Sequence, residues 1–193
     1  MRKKLAFVLP ALLFVGALIS PASFAGNMSD FVASEMYDPF DILGGGPVGA
    51  LVSPPTVTCP GHEPTTDPLQ PCPDDSRTHT RNTMWISRVD AADPNMRGMM
   101  TVVSNGNLNT NFEGPAWGTF TIVLDSGGTW EGRWQGVRVA EDGFWTATLH
   151  VQGQGYGGAV DGKKMIAQEQ LTSFGELNLA YYGFIEGRII DPK

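Results

Sequence analysis

The chain has 193 residues, of which 41% are hydrophobic and 17% are charged, and its formal net charge is −7. This excess of acidic residues argues against nucleic acid or an anionic membrane as a partner. The length fits one domain with a sizeable core once an N-terminal leader is set aside.

Residues 1–25 have the organisation of a secretory signal peptide. A basic start precedes an apolar stretch from Leu5 to Ile19, and the small residues Ser23 and Ala25 precede the expected cleavage site. The apolar stretch is shorter than the roughly 20 residues that a membrane helix needs. We therefore expect a secreted or periplasmic protein without a membrane anchor after signal cleavage.

Residues 26–80 are rich in proline and glycine and show little hydrophobic periodicity, which predicts an irregular N-terminal arm. Within this arm, Val48 to Val52 could form a strand added to a sheet, and Asp30 to Met36 could form a helical turn.

Cys59 and Cys72, the only two cysteines of the chain, lie in this arm. In an exported protein they are expected to form a disulfide, which would stabilise a segment that has little core of its own. The alternative is a metal site in which His62 and His79 join the two thiols, although the spacings match zinc ligation only loosely. We expect no metal and no cofactor.

Residues 81–193 have the alternating pattern and glycine-rich turns of an antiparallel barrel domain. No long amphipathic helix fits this region, so the sequence predicts an all-β fold, an up-and-down β-barrel of seven or eight strands. The seven predicted strands are Met84 to Val89, Gly98 to Ser104, Trp117 to Asp125, Thr129 to Val139, Phe144 to Gly153, Lys164 to Thr172 and Leu179 to Ile190.

The turns assign the two faces of the central strands. Pairing Asp125 with Thr129, and Ala140 with Gly143, places the large apolar side chains on one face and the polar side chains on the other. The apolar face must point into the barrel, and its members are Phe120, Ile122, Leu124, Trp130, Trp134, Trp145, Ala147, Leu149 and Val151.

Several glycines, at positions 118, 132, 136 and 153, share the inward face with these bulky residues. They indicate sharp curvature, aromatic rings packed over bare backbone, or space left for a ligand, and the sequence leaves these alternatives open. If the barrel binds an apolar molecule, the expected ligand-binding residues are Phe120, Trp130, Trp134, Trp145 and Leu149.

Polar residues that resemble an active site fall on the outer face. His150, Arg133 and Glu131 form a cross-strand group there, and Glu186 with Arg188 lies outside in the same way. Glu169 is different, because extending the strand register through the loop before it could turn this carboxylate inward, whereas a one-residue slip would send it to solvent. In an apolar interior its pKa would rise, so Glu169 is the first catalytic candidate, with Tyr181 as its partner.

The sequence Trp117-Gly118-Thr119-Phe120-Thr121-Ile122, the stretch from Gly128 to Trp134 and the stretch from Tyr182 to Ile190 carry repeated glycine–aromatic patterns. In these features the last 110 or so residues resemble uncharacterised exported bacterial barrel proteins and barrels of the allene oxide cyclase and dirigent type. The resemblance implies an eight-stranded barrel with an apolar interior.

The sequence leaves three functions open. The first is a secreted, non-catalytic barrel that holds an apolar small molecule or nothing, and the second is a cyclase-like or isomerase-like enzyme that uses an inward carboxylate. A third, binding of a partner through the N-terminal arm, is weaker, and oligomeric assembly is left open.

Overall fold

The computed structural model describes residues 26–64, 72, 77–141, 143–175 and 179–192. The segment assigned to the signal peptide lies outside these residues. The described part of the chain contains ten strands: β1 (Asn27–Tyr37), β2 (Ala50–Ser53), β3 (Thr56–Thr58), β4 (Thr78–Ala91), β5 (Gly98–Leu108), β6 (Gly114–Leu124), β7 (Thr129–Glu141), β8 (Phe144–Tyr156), β9 (Lys164–Phe174) and β10 (Ala180–Asp191).

Eight of these strands form a closed antiparallel barrel in the order β1-β10-β9-β8-β7-β6-β5-β4. The ring is completed by four residue pairs between β1 and β4, from Ala33 opposite Ala91 to Met36 opposite Arg88. The predicted all-β barrel is therefore confirmed. All seven predicted strands are present, and most are longer than the sequence indicated, because regular alternation continues beyond the strongly apolar core of each strand.

The eighth strand comes from the segment predicted to be an irregular arm. The helical turn expected over Asp30 to Met36 is wrong, since these residues lie in β1 and pair along β10. Its inward side chains alternate with outward ones, but small and polar residues occupy both faces, so the period of two is weak in the sequence. Pairing with two neighbouring strands makes this segment β, whatever its local propensity.

The strand expected near Val48 to Val52 exists in part, as β2, but it does not belong to the eight-stranded ring. Beyond the end of β1, the same edge of β4 pairs first with β2 and then with β3. Three strands, β1, β2 and β3, thus pair with successive parts of this edge of β4. Positive φ at Asn82, where the β4–β5 register shifts, marks the irregularity that this arrangement requires.

The hairpin registers differ from the predicted ones by two residues. Val123 pairs with Thr129 and Ile122 with Trp130, while the next hairpin begins with Glu141 opposite Phe144. A shift of two preserves the face of every side chain, because strand side chains alternate with a period of two. The predicted inward set is accordingly buried or half-buried in the structure.

One end of the barrel is closed by buried side chains from two loops. Met96, in the β4–β5 connection, and Val160, in the short 3₁₀ helix Gly158–Val160, are both fully buried. Beneath them the Trp130 indole, which is 0% exposed, donates a hydrogen bond of 2.8 Å to the carbonyl oxygen of Asn95. At the opposite end, exposed Phe40 and Leu51 border the barrel interior.

The disulfide predicted from the two cysteines is present, with a Cα–Cα distance of 5.4 Å between Cys59 and Cys72. Both thiols are consumed by this bond, so neither is a metal ligand. None of the helices in the described residues is long and apolar enough to cross a membrane.

Candidate functional site

A cavity of about 440 Å³ lies inside the barrel and reaches its open end. Most of its wall is apolar, and four of the five residues predicted to bind a ligand line it: Phe120, Trp134, Trp145 and Leu149. The fifth, Trp130, does not line the cavity, because it lies at the closed end.

A Cβ at Gly118, Gly132 or Gly136 would collide with a backbone carbonyl oxygen of the neighbouring strand, and some of the inward glycines also lie beneath aromatic rings. A side chain at Gly132 would lie 2.6 Å from the Phe120 ring, and one at Gly118 would lie 2.9 Å from the Trp134 indole. Gly153 faces the same Phe120 ring at 3.1 Å. These aromatic rings lie over bare backbone, which is one of the three explanations that the sequence left open. The cavity is the space that remains between the inward side chains.

A chain of hydrogen bonds joins three strands at the cavity wall. The Tyr181 hydroxyl on β10 donates to Glu35 Oε1 on β1 at 2.5 Å, and it accepts a hydrogen bond of 2.5 Å from the Trp85 indole on β4. All three residues line the cavity. Burial, the charge of Glu35 and the bond to it raise the pKa of Tyr181 well above 10.0, so its hydroxyl keeps its proton.

Glu169 on β9 turns inward, as the extended register predicted, and is buried next to Glu35. Burial raises the pKa of Glu169 well above 4.5, and the neighbouring charge of Glu35 and a hydrogen bond with that residue add to the shift. Two adjacent carboxyl groups in a desolvated site share a proton more readily than they both ionise. Glu35 and Glu169 therefore form an acid pair.

The acid pair depends on the glycine between its two strands. Gly183 on β10 pairs with Glu35 on one side and with Leu171 on the other. A Cβ at this position would lie 2.7 Å from Glu169 Oε1 and 2.6 Å from Leu171 Cδ2. The missing side chain leaves the room in which the two carboxyl groups meet.

Aromatic rings surround Tyr181. Its ring stacks on Tyr37 with 5.4 Å between centroids, meets Trp85 edge-on at 6.1 Å, and lies 5.9 Å from Trp145. These four rings give this part of the cavity an aromatic, low-dielectric wall, and burial raises the pKa of Tyr37 as well.

A half-buried cation lies against Trp145. The Arg138 guanidinium carbon of β7 is 4.4 Å from the centroid of the Trp145 ring. Desolvation lowers the pKa of Arg138 to about 10, which leaves the side chain charged at neutral pH. Among the described residues it forms no ion pair, and its Nε is buried without a hydrogen-bond partner.

Unpartnered polar atoms are concentrated at the cavity. Four buried side-chain atoms of the described chain lack a hydrogen-bond partner: Ser87 Oγ, Trp134 Nε1, Arg138 Nε and Glu169 Oε1. The last three belong to cavity-lining residues. Since buried polar groups in proteins are nearly always hydrogen-bonded, these three atoms are suited to a polar occupant of the cavity.

The polar group of the outer face is separate from this site. His150, Arg133 and Glu131 are exposed, as the strand faces predicted, although His150 lies opposite Gln135 and not Arg133. Arg188 forms an exposed ion pair with Asp30 at 3.0 Å.

The sequence patterns did not identify Glu35, Trp85, Tyr37 or Arg138 as residues of the site. The signal for Arg138 was available, because continuing the inward positions Trp134 and Gly136 along β7 leads directly to it. Glu35 and Tyr37 lie in the segment taken for an irregular arm, where only the closure of the barrel reveals their direction.

Comparison with protein-family models, with curated proteins and with solved structures gave no match to this chain. The function is therefore inferred from the residues of the site itself.

Proposed function

We propose that this protein binds an apolar small molecule inside its barrel. The observation that carries the proposal is the 440 Å³ interior cavity, which is within the range of about 300 to 1,000 Å³ typical of small-molecule sites. Such sites combine an apolar wall with a few convergent polar groups. Trp134 Nε1, Arg138 and Glu169 are those groups here.

Filling the cavity tests this function. Ala147 is buried on the cavity wall, and its neighbour Thr148 is exposed on the outer face of the same strand. We expect Ala147→Phe to weaken binding of the neutral fluorophore N-phenyl-1-naphthylamine at least tenfold, while Thr148→Phe leaves its Kd unchanged. Equal affinity in both variants, with folding verified by circular dichroism, would reject an interior site. Native mass spectrometry of the exported protein would identify a co-purified ligand.

Export is part of the same proposal. The leader-like residues 1–25 and the Cys59–Cys72 disulfide are both features of secreted or periplasmic proteins. Intact mass measurement of protein recovered outside the cytoplasm should give a chain that begins near Gly26. Recovery of the full-length chain from the cytoplasm alone would contradict it.

A second candidate function is acid–base catalysis of an isomerisation or cyclisation, and the buried acid pair favours it. We infer that at neutral pH Glu169 is a neutral acid, able to donate to a substrate oxygen, while Glu35 accepts a proton from carbon. Moving a proton from one carbon to another in this way requires no redox partner. The pattern resemblance to allene oxide cyclase-type barrels supports an interior reaction, and its extension to cyclase activity is a proposal.

A β,γ-unsaturated cyclic ketone such as 3-cyclohexen-1-one tests the second candidate, because isomerisation to the conjugated ketone is followed by absorbance. We expect Glu169→Gln to reduce the rate by about 100-fold or more. The control Glu186→Gln changes an exposed carboxylate on β10. Equal rates in the two variants would rule out Glu169 as the acid.

A further inference from the structure

We propose that the ligand of the barrel is a flat aromatic anion whose carboxylate or equivalent oxyanion is bound by Arg138. This inference rests on the proposed function and specifies the chemical class of the ligand. It is carried by the guanidinium that lines the cavity and forms no ion pair among the described residues, and by the aromatic rings beside it.

Arg138 differs from Arg88 and Arg81 in the partners of its guanidinium group. Arg88 forms an ion pair with Asp125, and Arg81 donates to the carbonyl oxygens of Thr80 and Gly106. Among the described residues no ion pair joins Arg138 to an acid, and its Nε is buried without a hydrogen-bond partner. Partial burial of an unpaired cation carries a desolvation cost, and an anionic ligand would offset that cost on binding.

Glu113, an acidic residue described near Arg138, is already engaged by other partners. Glu113 and Arg138 both border a smaller cavity on the other side of the wall. The Glu113 carboxylate accepts hydrogen bonds from Asn109 Nδ2 at 2.9 Å and from the Ala140 backbone nitrogen at 3.2 Å. It serves to fix the β5–β6 turn, and no ion pair joins it to Arg138.

The strands that carry the acid pair are not next to β7. In the ring of eight strands, β9 is two strands away from β7 and β1 is four strands away, so neither glutamate is on a strand adjacent to that of Arg138. Desolvation alone accounts for the lowered pKa of Arg138, without a contribution from either glutamate. An anionic group in the cavity would be attracted to Arg138 and repelled by the charge of the acid pair.

The stacking of Arg138 suits a planar oxyanion. The guanidinium carbon lies over the Trp145 ring, 4.4 Å from its centroid. A carboxylate can be bound there by two parallel hydrogen bonds, a geometry that arginine favours and lysine does not provide.

The rings next to this position favour an aromatic body for the ligand. Trp145 lies between Arg138 and Tyr181, and Tyr181 in turn contacts Tyr37 and Trp85. Aromatic surfaces prefer offset-stacked or edge-to-face contacts with other rings. A flat aromatic molecule anchored by its anion at Arg138 would therefore extend along this wall of rings.

Two matched fluorophores provide the test. 8-Anilinonaphthalene-1-sulfonate and N-phenyl-1-naphthylamine differ only in the sulfonate group. We expect the mature protein, without residues 1–25, to bind the anionic probe at least tenfold more tightly than the neutral one. Arg138→Met should remove this preference and leave the Kd of the neutral probe within about twofold, and Arg133→Met, an exposed change on the same strand, should have no effect.

The outcomes separate the two proposals. If neither probe binds the unmodified protein in its interior, the binding function itself fails. If both probes bind equally well, or if Arg138→Met retains the preference, the binding function stands and the role of Arg138 is overturned. Competition by 2-naphthoate but not by 2-naphthamide would extend the result from sulfonate to carboxylate. This competition is measured on the unmodified protein, so it tests the preference for an anion even if the Arg138→Met variant does not fold.

Discussion

Glu169 shows how strongly a single residue depends on its surroundings in this barrel. An exposed glutamate would be ionised at neutral pH, whereas Glu169 is buried beside Glu35, and both effects favour its protonated form. Gly183 permits this arrangement, since any Cβ there would collide with the Glu169 carboxyl group. The acid pair is thus the joint product of two glutamates and one absent side chain.

The raised pKa of Glu169 predicts a distinct dependence of stability on pH. As the pH rises above about 4.5, the unfolded chain loses the Glu169 proton while the folded chain retains it, so the free energy of unfolding decreases until the folded pKa is reached. Glu169→Gln should abolish this decrease. Chemical denaturation of both proteins between pH 4 and 9 should show the variant gaining stability relative to the parent as the pH rises. A constant difference would contradict a raised pKa.

At the scale of elements, β1 decides whether the sheet closes. Its eleven residues pair along the full length of β10, and four of them also pair with β4. Without β1, both of those strands would present unpaired edges, which promote aggregation. The same strand brings Glu35 and Tyr37 to the cavity, so closure of the barrel and assembly of the site are one event.

Neighbouring residues of β1 provide a matched test of this assignment. Phe31 is 5% exposed and points inward, whereas Val32 is 53% exposed on the outer face. Phe31→Ala should reduce the free energy of unfolding by about 3 to 5 kcal/mol, because it leaves a cavity in the core. Val32→Ala should change it by less than about 0.5 kcal/mol. Equal small effects in urea denaturation would mean that residues 27–37 do not form a barrel strand.

Strand faces proved more predictable from sequence than strand partners. Phe120, Trp134 and Leu149 point inward as predicted although both hairpin registers were wrong by two residues, because only a shift by an odd number exchanges the faces. The direction of Glu169 was left open by the sequence, because it depends on the register across the loop before its strand. Glu35 was not found, since it lies in a strand whose pattern carries little information until its two partners are known.

At the scale of the whole molecule, the barrel and the disulfide-bonded segment are separate sources of stability. The Cys59–Cys72 bond closes a loop with a sequence separation of 13 residues beside β3 and the start of β4. Neither cysteine lines the interior cavity. The covalent link therefore reinforces the part of the chain with the smallest core, while the binding site depends on the barrel.

Replacing both cysteines by alanine tests this separation. We expect the free energy of unfolding to fall by about 3 kcal/mol, the value for a loop of this length in the entropic description. The Kd for N-phenyl-1-naphthylamine should remain within about twofold of the parent value. A large loss of affinity in protein that is still folded would show that the disulfide-bonded segment shapes the cavity.

The sequence by itself determined the class of fold, the inward apolar set and the disulfide, because each of these depends on alternation or composition along a short stretch of chain. Tertiary structure decided which segment closed the barrel, that space remained inside it, and that Glu35, Tyr181 and Trp85 met in one cluster. It also placed the Arg138 guanidinium over Trp145, without an ion pair among the described residues. These features depend on contacts between residues far apart in the chain, and local pattern contains no information about which strands will become neighbours.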